Sequence, residues 1–349
     1  MENNKSQNTT ICPSARNSLY VFTMIPIVYT IIFVIGILGN IVVVIVIYIY
    51  MKLKTVASIF LFNLALADMT FLITLPLWAA STAMEYHWPF GIALCKLTAG
   101  IVTLNLYASI FLLTCLSIDR YVAIVHPMTS RQRRTLVFAR LICIIIWVLA
   151  TVISIPTMCR RNVINNHNVT LCGFDHIETS FLVGMGLTKN ILGFLIPFMI
   201  ILFCYCLIAK TLLQAYDIQQ NRSRNDEVLK MLMAVVAAFF LCWIPHQVLT
   251  FLYVLIHKKV IQDCHIIDTI DIAMPFTICI AYFNSCLNPV LYGYVGKNFR
   301  RHVMHLLKCA PSGIRSHPVL TTKMSSLSLR TSETLFATAK RTINAYELN

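Results

Sequence analysis

Long apolar runs separated by short polar connections fill the chain between residues 25 and 295. Within each run the apolar positions are nearly continuous, with no single stripe, as in a helix that meets apolar surroundings on every side. A helix needs about 20 mostly apolar residues to cross the hydrocarbon core with its backbone hydrogen bonds satisfied internally. Seven segments qualify: Ile25–Tyr50, Val56–Met84, Leu94–Val125, Val137–Cys159, Phe181–Leu213, Val228–His257 and Ile266–Val295. The pattern predicts an all-α, seven-transmembrane bundle over residues 25–296, with no inserted soluble domain and no internal repeat.

Beyond the last run, Phe299, Val303, Leu306 and Leu307 recur at helical spacing among Arg300, Arg301 and His302. This predicts a short amphipathic eighth helix over 297–309, lying along the cytoplasmic face. Cys309 at its end is either a palmitoylation site or a plain free thiol. From Ala310 to Asn349 the chain is rich in Ser and Thr and poor in large apolar residues, which reads as a disordered cytoplasmic tail open to receptor kinases and arrestin. Residues 1–24 read as an extracellular N-terminus. Its first ten residues lack the basic-then-apolar layout of a cleaved signal peptide, so insertion is expected to begin with the first span.

Composition agrees and narrows the class. Hydrophobic residues make up 58% of the 349 and charged residues only 12%, against about 25% charged in a soluble domain. The 28 Lys and Arg against 14 Asp and Glu give a formal charge of +14. With apolar blocks this long, nucleic acid is excluded, and the anionic inner leaflet is the fitting partner. Lys52 and Lys54, then Arg131, Arg133, Arg134 and Arg140, then Lys210, Arg222, Arg224 and Lys230 occupy alternate connections, followed by Lys297, Arg300, Arg301 and Lys308. The opposite connections are poorer. Excess positive charge stays inside, which orients the N-terminus outward in a multi-pass plasma-membrane protein. Glycan acceptor triplets at Asn4, Asn8 and Asn168 then fall outside.

Seven of the 13 cysteines (Cys115, Cys143, Cys204, Cys206, Cys242, Cys279 and Cys286) lie in spans, where they read as small buried apolar residues. Cys12, Cys95, Cys172 and Cys264 lie on the oxidising outer side, and sequence alone permits three pairings of them.

Ionisable and amide groups inside a membrane need a partner or a purpose. Asp68 lies mid-span. Asn105 and Ser109 are one turn apart on the third span, and Asn284, Asn288 and Tyr292 repeat at i, i+4, i+8 on the seventh, with Ser285 beside them. Arg120 follows Ser109 by eleven residues, about 17 Å along one face, near the cytoplasmic mouth.

Ordered markers run through the spans: Gly39-Asn40, Leu64-Ala65-Leu66-Ala67-Asp68, Asp119-Arg120-Tyr121, Trp147, Pro197 with Tyr205, Phe239 through Pro245, and Asn288-Pro289-Val290-Leu291-Tyr292. Together they resemble the rhodopsin-like G-protein-coupled receptors over residues 20–309. Longer stretches are similar to the type-1 angiotensin receptors, among them Met51–Ser58, Thr74–Ala79, Gly186–Phe194 and Ile278–Asn284. The resemblance implies pairing of Cys95 with Cys172 and of Cys12 with Cys264. It implies an angiotensin-like octapeptide whose C-terminal carboxylate meets Arg161 and Lys189, and whose arginine meets Asp271, with Asp268 beside it. The pocket walls would be Tyr29, Trp78, Trp243, His246, Gln247 and Tyr282. Asp68, Ser109, Asn284, Ser285 and Asn288 would hold an allosteric sodium ion, with no other cofactor.

Activation and coupling to a heterotrimeric Gq-class G protein would run through Asn105, Asp119, Arg120, Tyr121, Tyr205, Phe239, Asn288, Pro289 and Tyr292. Two positions depart from the mammalian type-1 pattern. Ser81 replaces a tyrosine, and Ser285 replaces an asparagine whose amide could reach Asn105. Kinin and chemokine receptors are the neighbouring peptide class. A pump or transporter is the remote alternative: the seventh span has no lysine for a retinal Schiff base, and neither inverted repeats nor broken helices are expected. Catalysis is not expected, because the polar span residues form no metal cluster or nucleophile-and-base set.

Overall fold

The computed structural model describes residues 19–128, 135–166, 169–174, 178–216, 223–295 and 297–309. Asn4, Asn8, Cys12, Asn168 and the tail from Ala310 lie outside the described residues. The chain divides into one unit ending at Met304 and a second beginning at His305.

Seven helices of the first unit are long and apolar enough to cross a membrane: Tyr20–Met51, Val56–Ala83, Gly91–Val125, Leu136–Arg160, Thr179–Gln214, Leu229–His257 and Cys264–Tyr294. They are called spans one to seven below. Most ends fall within three residues of the expected limits. Span one starts earlier, because Leu19 to Met24 continue the apolar pattern through Pro26, which is accommodated inside the helix. Leu64, Phe71, Tyr107, Ile110, Phe239 and Tyr292 are among the fully buried side chains at the centre of the bundle. Ile35 and Leu38 of span one, Ile144 and Val148 of span four, and Phe203 of span five are exposed. In a soluble protein that inversion would be unstable; in lipid it is the expected outer surface. Cys206 corrects the expectation of buried span cysteines, since it is exposed on span five, and Cys115 is only partly buried.

Span two is broken, contrary to the expectation of unbroken helices. Its halves are Val56–Leu72 and Leu75–Ala83. Pro76 explains the break: it has no N–H to offer the carbonyl of Leu72, four residues back, and its ring crowds that carbonyl. The main-chain N–H and hydroxyl of Thr74 both donate to the carbonyl of Phe71, at 2.9 and 2.7 Å, and close the gap. Pro197 acts in the same way on span five, where Ile191–Leu195 forms a π-helical segment around Gly193, the residue four before it.

Spans one and seven approach closely at Gly39, where an added Cβ would lie 3.0 Å from the Pro289 ring. Span one ends in a second π segment, Val46–Met51, and Lys52 and Leu53 then take left-handed φ values of 52° and 49°. Thr55 starts span two with a capping box: its hydroxyl accepts from the Ser58 N–H at 3.1 Å, and its own N–H donates to the Ser58 hydroxyl at 3.2 Å.

The connection between spans four and five is a hairpin that the hydropathy pattern did not reveal. Strand β1, Arg161–Asn166, pairs antiparallel with strand β2, Val169–Phe174, placing Arg161 opposite Phe174 and Val163 opposite Cys172. Two links hold it over the bundle. Cys172 is disulfide-bonded to Cys95 at the top of span three. The Trp88 N–H donates to the Thr170 carbonyl at 2.7 Å, and the Thr170 hydroxyl donates back to the Trp88 carbonyl at 2.9 Å. Cys264 is also disulfide-bonded.

Candidate functional site

Below the hairpin lies a cavity of about 660 Å³, and residues from all seven spans reach it. Spans one, two, six and seven supply the expected walls: Tyr29, Trp78, Trp243, His246, Gln247 and Tyr282 all border it. The tyrosines pack as a unit, with the Tyr29 and Tyr282 rings 5.6 Å apart and Phe71 set edge-on to Tyr282 at 4.7 Å. Ser81 also borders the cavity, so the departure from the mammalian type-1 tyrosine changes its wall directly.

Arg161 and Lys189 border the same cavity. Arg161 opens β1, and the hairpin register aims it: its guanidinium lies 4.2 Å from the centre of the facing Phe174 ring, and Nη1 donates to the Cys172 carbonyl at 2.9 Å. Its Nε has no hydrogen-bond partner among the described residues. Burial lowers the Arg161 pKa, with the Tyr282 phenol acting in the opposite direction. An arginine nonetheless stays charged near neutral pH. Lys189 feels Arg161 and His246 and has no hydrogen bond or ion pair among the described residues. Asp268 and Asp271 do not border the cavity; Asp271 stands near Asp268 and Tyr253 at the outer end of span seven. Phe174, Thr103 and Glu85 do border it and were missed. Only the alternation of Val163, Val169 and Leu171 around a polar turn could have signalled the hairpin that brings in Phe174.

Deeper in the bundle, a polar cluster joins spans one, two, three and seven around Asp68, which is wholly buried. Asp68 Oδ1 accepts from the Ser285 hydroxyl at 2.8 Å and from the Asn105 amide at 3.3 Å, while Oδ2 accepts from the Asn288 amide at 2.8 Å. Asn105 also donates to Ser109 at 3.3 Å. Asn40, a marker with no role assigned from sequence, donates to the main-chain carbonyls of Gly36 and Ser285, both at 2.9 Å. The Oδ1 atoms of Asn284 and Asn288 and the Tyr292 hydroxyl have no hydrogen-bond partner among the described residues. The cluster thus combines a carboxylate with uncommitted oxygens, a donor set compatible with a small hard cation.

Near the C-terminal end of span three, Asp119 and Arg120 form a salt bridge that also uses Arg120 Nε, at 3.0 Å. Tyr121 is not part of this pair; its hydroxyl meets His126 Nε2 at 3.1 Å. Tyr205 lies within electrostatic reach of Arg120. Phe239 is fully buried and stacks on Trp243 at 5.8 Å, linking the floor of the outer cavity to the interior of span six. Tyr292, after Pro289, packs against Phe299 at 6.0 Å.

Comparison with known proteins accounts for this arrangement. The chain matches the 7 transmembrane receptor (rhodopsin family) over residues 39–292. It is 60% identical over 340 residues to the type-1 angiotensin II receptor of Meleagris gallopavo, covering 96% of this chain and 95% of that one. It is 58% identical over 342 residues to the type-1 angiotensin II receptor of Homo sapiens, covering 97% and 95%. The pump and transporter alternative falls with these matches, and the broken second span is a feature of a receptor. With seven spans and these matches along nearly its whole length, the chain belongs to the rhodopsin family of G-protein-coupled receptors and is type-1 angiotensin II receptor-like.

Proposed function

We propose that the receptor binds an angiotensin-like octapeptide outside the cell and activates a Gq-class G protein within, leading through phospholipase C to calcium release. The observation that carries the reading is the pair of cations, Arg161 and Lys189, on one partly desolvated cavity wall with no ion pair to an acid among the described residues. A peptide's terminal carboxylate suits that wall, Arg161 as a planar donor and Lys189 as a mobile point charge. The rest of the peptide meets the aromatic wall from Tyr29 to Tyr282. Asp271, with Asp268, receives the peptide arginine as the ligand projects outward past span seven.

In this reading the ligand displaces Trp243 and Phe239, span six swings outward about Pro245, and Asp119 releases Arg120 to meet the G protein together with Tyr205 and Tyr121. Sodium at Asp68, Ser109, Asn284, Ser285 and Asn288 favours the resting state, and Pro289 and Tyr292 shift when it leaves. The division into an outer N-terminus (1–24), a bundle (25–296), a membrane-lying helix (297–309) and a tail (310–349) goes with a plasma-membrane receptor. Asn4, Asn8 and Asn168 would be glycosylated, Cys12 joined to Cys264, and Cys309 palmitoylated. The tail would be phosphorylated by receptor kinases to recruit arrestin. The test is calcium release in transfected cells across a panel of angiotensin, kinin and chemokine peptides. A response confined to kinins or chemokines would reject the ligand class.

A further inference from the structure

A second cavity, of about 450 Å³, opens on the outer surface of the bundle between spans three, four and five. Its roof is a bridge between spans four and five, where the Arg160 guanidinium lies 5.2 Å from the centre of the Phe181 ring. Pro156 and Gly184, which also border the cavity, are both exposed. A Cβ built on Gly184 would meet nothing within 4 Å, so the glycine leaves a gap in the wall. Tyr107 and Ile153 form the apolar floor. Lys189, Thr103, Thr157 and Met185 border both this cavity and the one beneath the hairpin, so the two share a wall. Lys189 lies ten residues beyond Thr179, about 15 Å along the helix, and has no ion pair among the described residues.

We propose that this cleft is a lateral binding site for a free long-chain fatty acid from the outer leaflet, with its carboxylate on Lys189 and its chain leaving past Gly184 and Pro156. An acyl chain that exchanges lipid for an apolar protein wall gains little, because the two are equally apolar. The head group therefore decides the occupant. A charged group at this depth needs a partner, and an ammonium with no ion pair among the described residues suits a carboxylate. The other charges at the cleft are Arg160, which reinforces the choice of anion, and Glu178, which lies at the mouth and hydrogen-bonds to Ser180 at 3.1 Å. The proposal goes beyond the peptide reading but shares Lys189 with it, so the fatty acid and the peptide carboxylate would compete for one cation.

The experiment uses full-length receptor in nanodiscs and a saturated long-chain fatty acid carrying a diazirine at mid-chain. Photolabelling should map to residues 153–160 and 180–188. Gly184→Leu and, independently, Ile153→Trp should each cut it by at least about tenfold while peptide affinity stays within about twofold, which also reports folding. Lys189→Gln should reduce labelling, and the fatty alcohol of equal chain length should compete at least about tenfold more weakly than the acid. Labelling elsewhere, indifference to both cleft-filling variants, or equal competition by the alcohol or by an anionic phospholipid would overturn the site. If Lys189→Gln loses peptide binding but keeps full labelling, the lateral site falls and the peptide reading stands. If it loses labelling but keeps full peptide binding, the lateral site stands and the peptide pairing with Lys189 falls.

Discussion

Asn105 of span three and Ser285 of span seven converge on one atom, Oδ1 of Asp68, at 3.3 and 2.8 Å. The serine lacks an amide to reach Asn105, so a direct latch between the two spans is not available to it. The carboxylate supplies an indirect one, and each hydrogen bond to it is of the charged kind, worth about 1.5–3 kcal/mol.

This arrangement makes sodium sensitivity testable. A cation at Asp68 competes with the Ser285 and Asn105 donors, and if it favours the resting state it must lower agonist affinity by the same factor that agonist lowers its own. Agonist affinity measured in sodium should be about 5- to 150-fold weaker than in an equal concentration of a bulky organic cation. Asp68→Asn should abolish most of the difference, and Ser285→Asn should blunt it and lower basal signalling. Equal wild-type affinity in both salts would remove the sodium reading and leave an interhelical hydrogen-bond cluster.

Lys189→Ala should weaken an octapeptide with a free C-terminal carboxylate much more than the same peptide with a C-terminal amide. Loss of one partner of a desolvated charge pair costs about 2–5 kcal/mol. Competition binding on membranes gives both affinities, and an equal loss for the two peptides rejects the pairing.

Asp119→Asn should raise agonist-independent inositol phosphate turnover, because the amide cannot hold the Arg120 guanidinium as a carboxylate does. If basal turnover matches wild type at equal surface expression, the salt bridge is not the resting restraint.

The outer disulfides make a separate test. Mild reduction should lower surface ligand binding, since the carbonyl that anchors Arg161 belongs to Cys172. Peptide mapping should recover Cys95 joined to Cys172 and Cys12 joined to Cys264. A free Cys12, or any other partner for Cys264, would refute the second bridge.

Hydropathy made the spans legible because the bilayer imposes one length and one composition on every crossing. It said nothing of the hinge in span two or the π segment in span five. Pro76 and Pro197 were both visible, but whether a proline kinks, breaks or re-registers a helix depends on how its neighbours re-satisfy the local backbone, as Thr74 does by donating to the Phe71 carbonyl. The hairpin was hidden for a related reason: its six-residue strands are short, and its position depends on a disulfide and on Trp88 more than on local pattern. Within the site, the cavity wall from Tyr29 to Tyr282 came from family resemblance, not from periodicity, since aromatic residues in a span usually pack the core. Asp268 and Asp271 rest on resemblance alone, for neither borders the cavity.

The hairpin also bears on time. Arg161 and Phe174 face each other across it, both border the cavity, and the strand that carries Phe174 is fastened covalently to span three. On the proposed reading, a ligand held by Arg161 would have to leave past a cover tied to span three through Cys172. Such a strap acts on departure more than on encounter, so hormone residence, not capture, is the quantity it governs. Replacing the Arg161–Phe174 contact with Phe174→Ala should shorten the half-life of the bound peptide while leaving its association rate nearly unchanged, and a labelled-peptide dissociation experiment measures both.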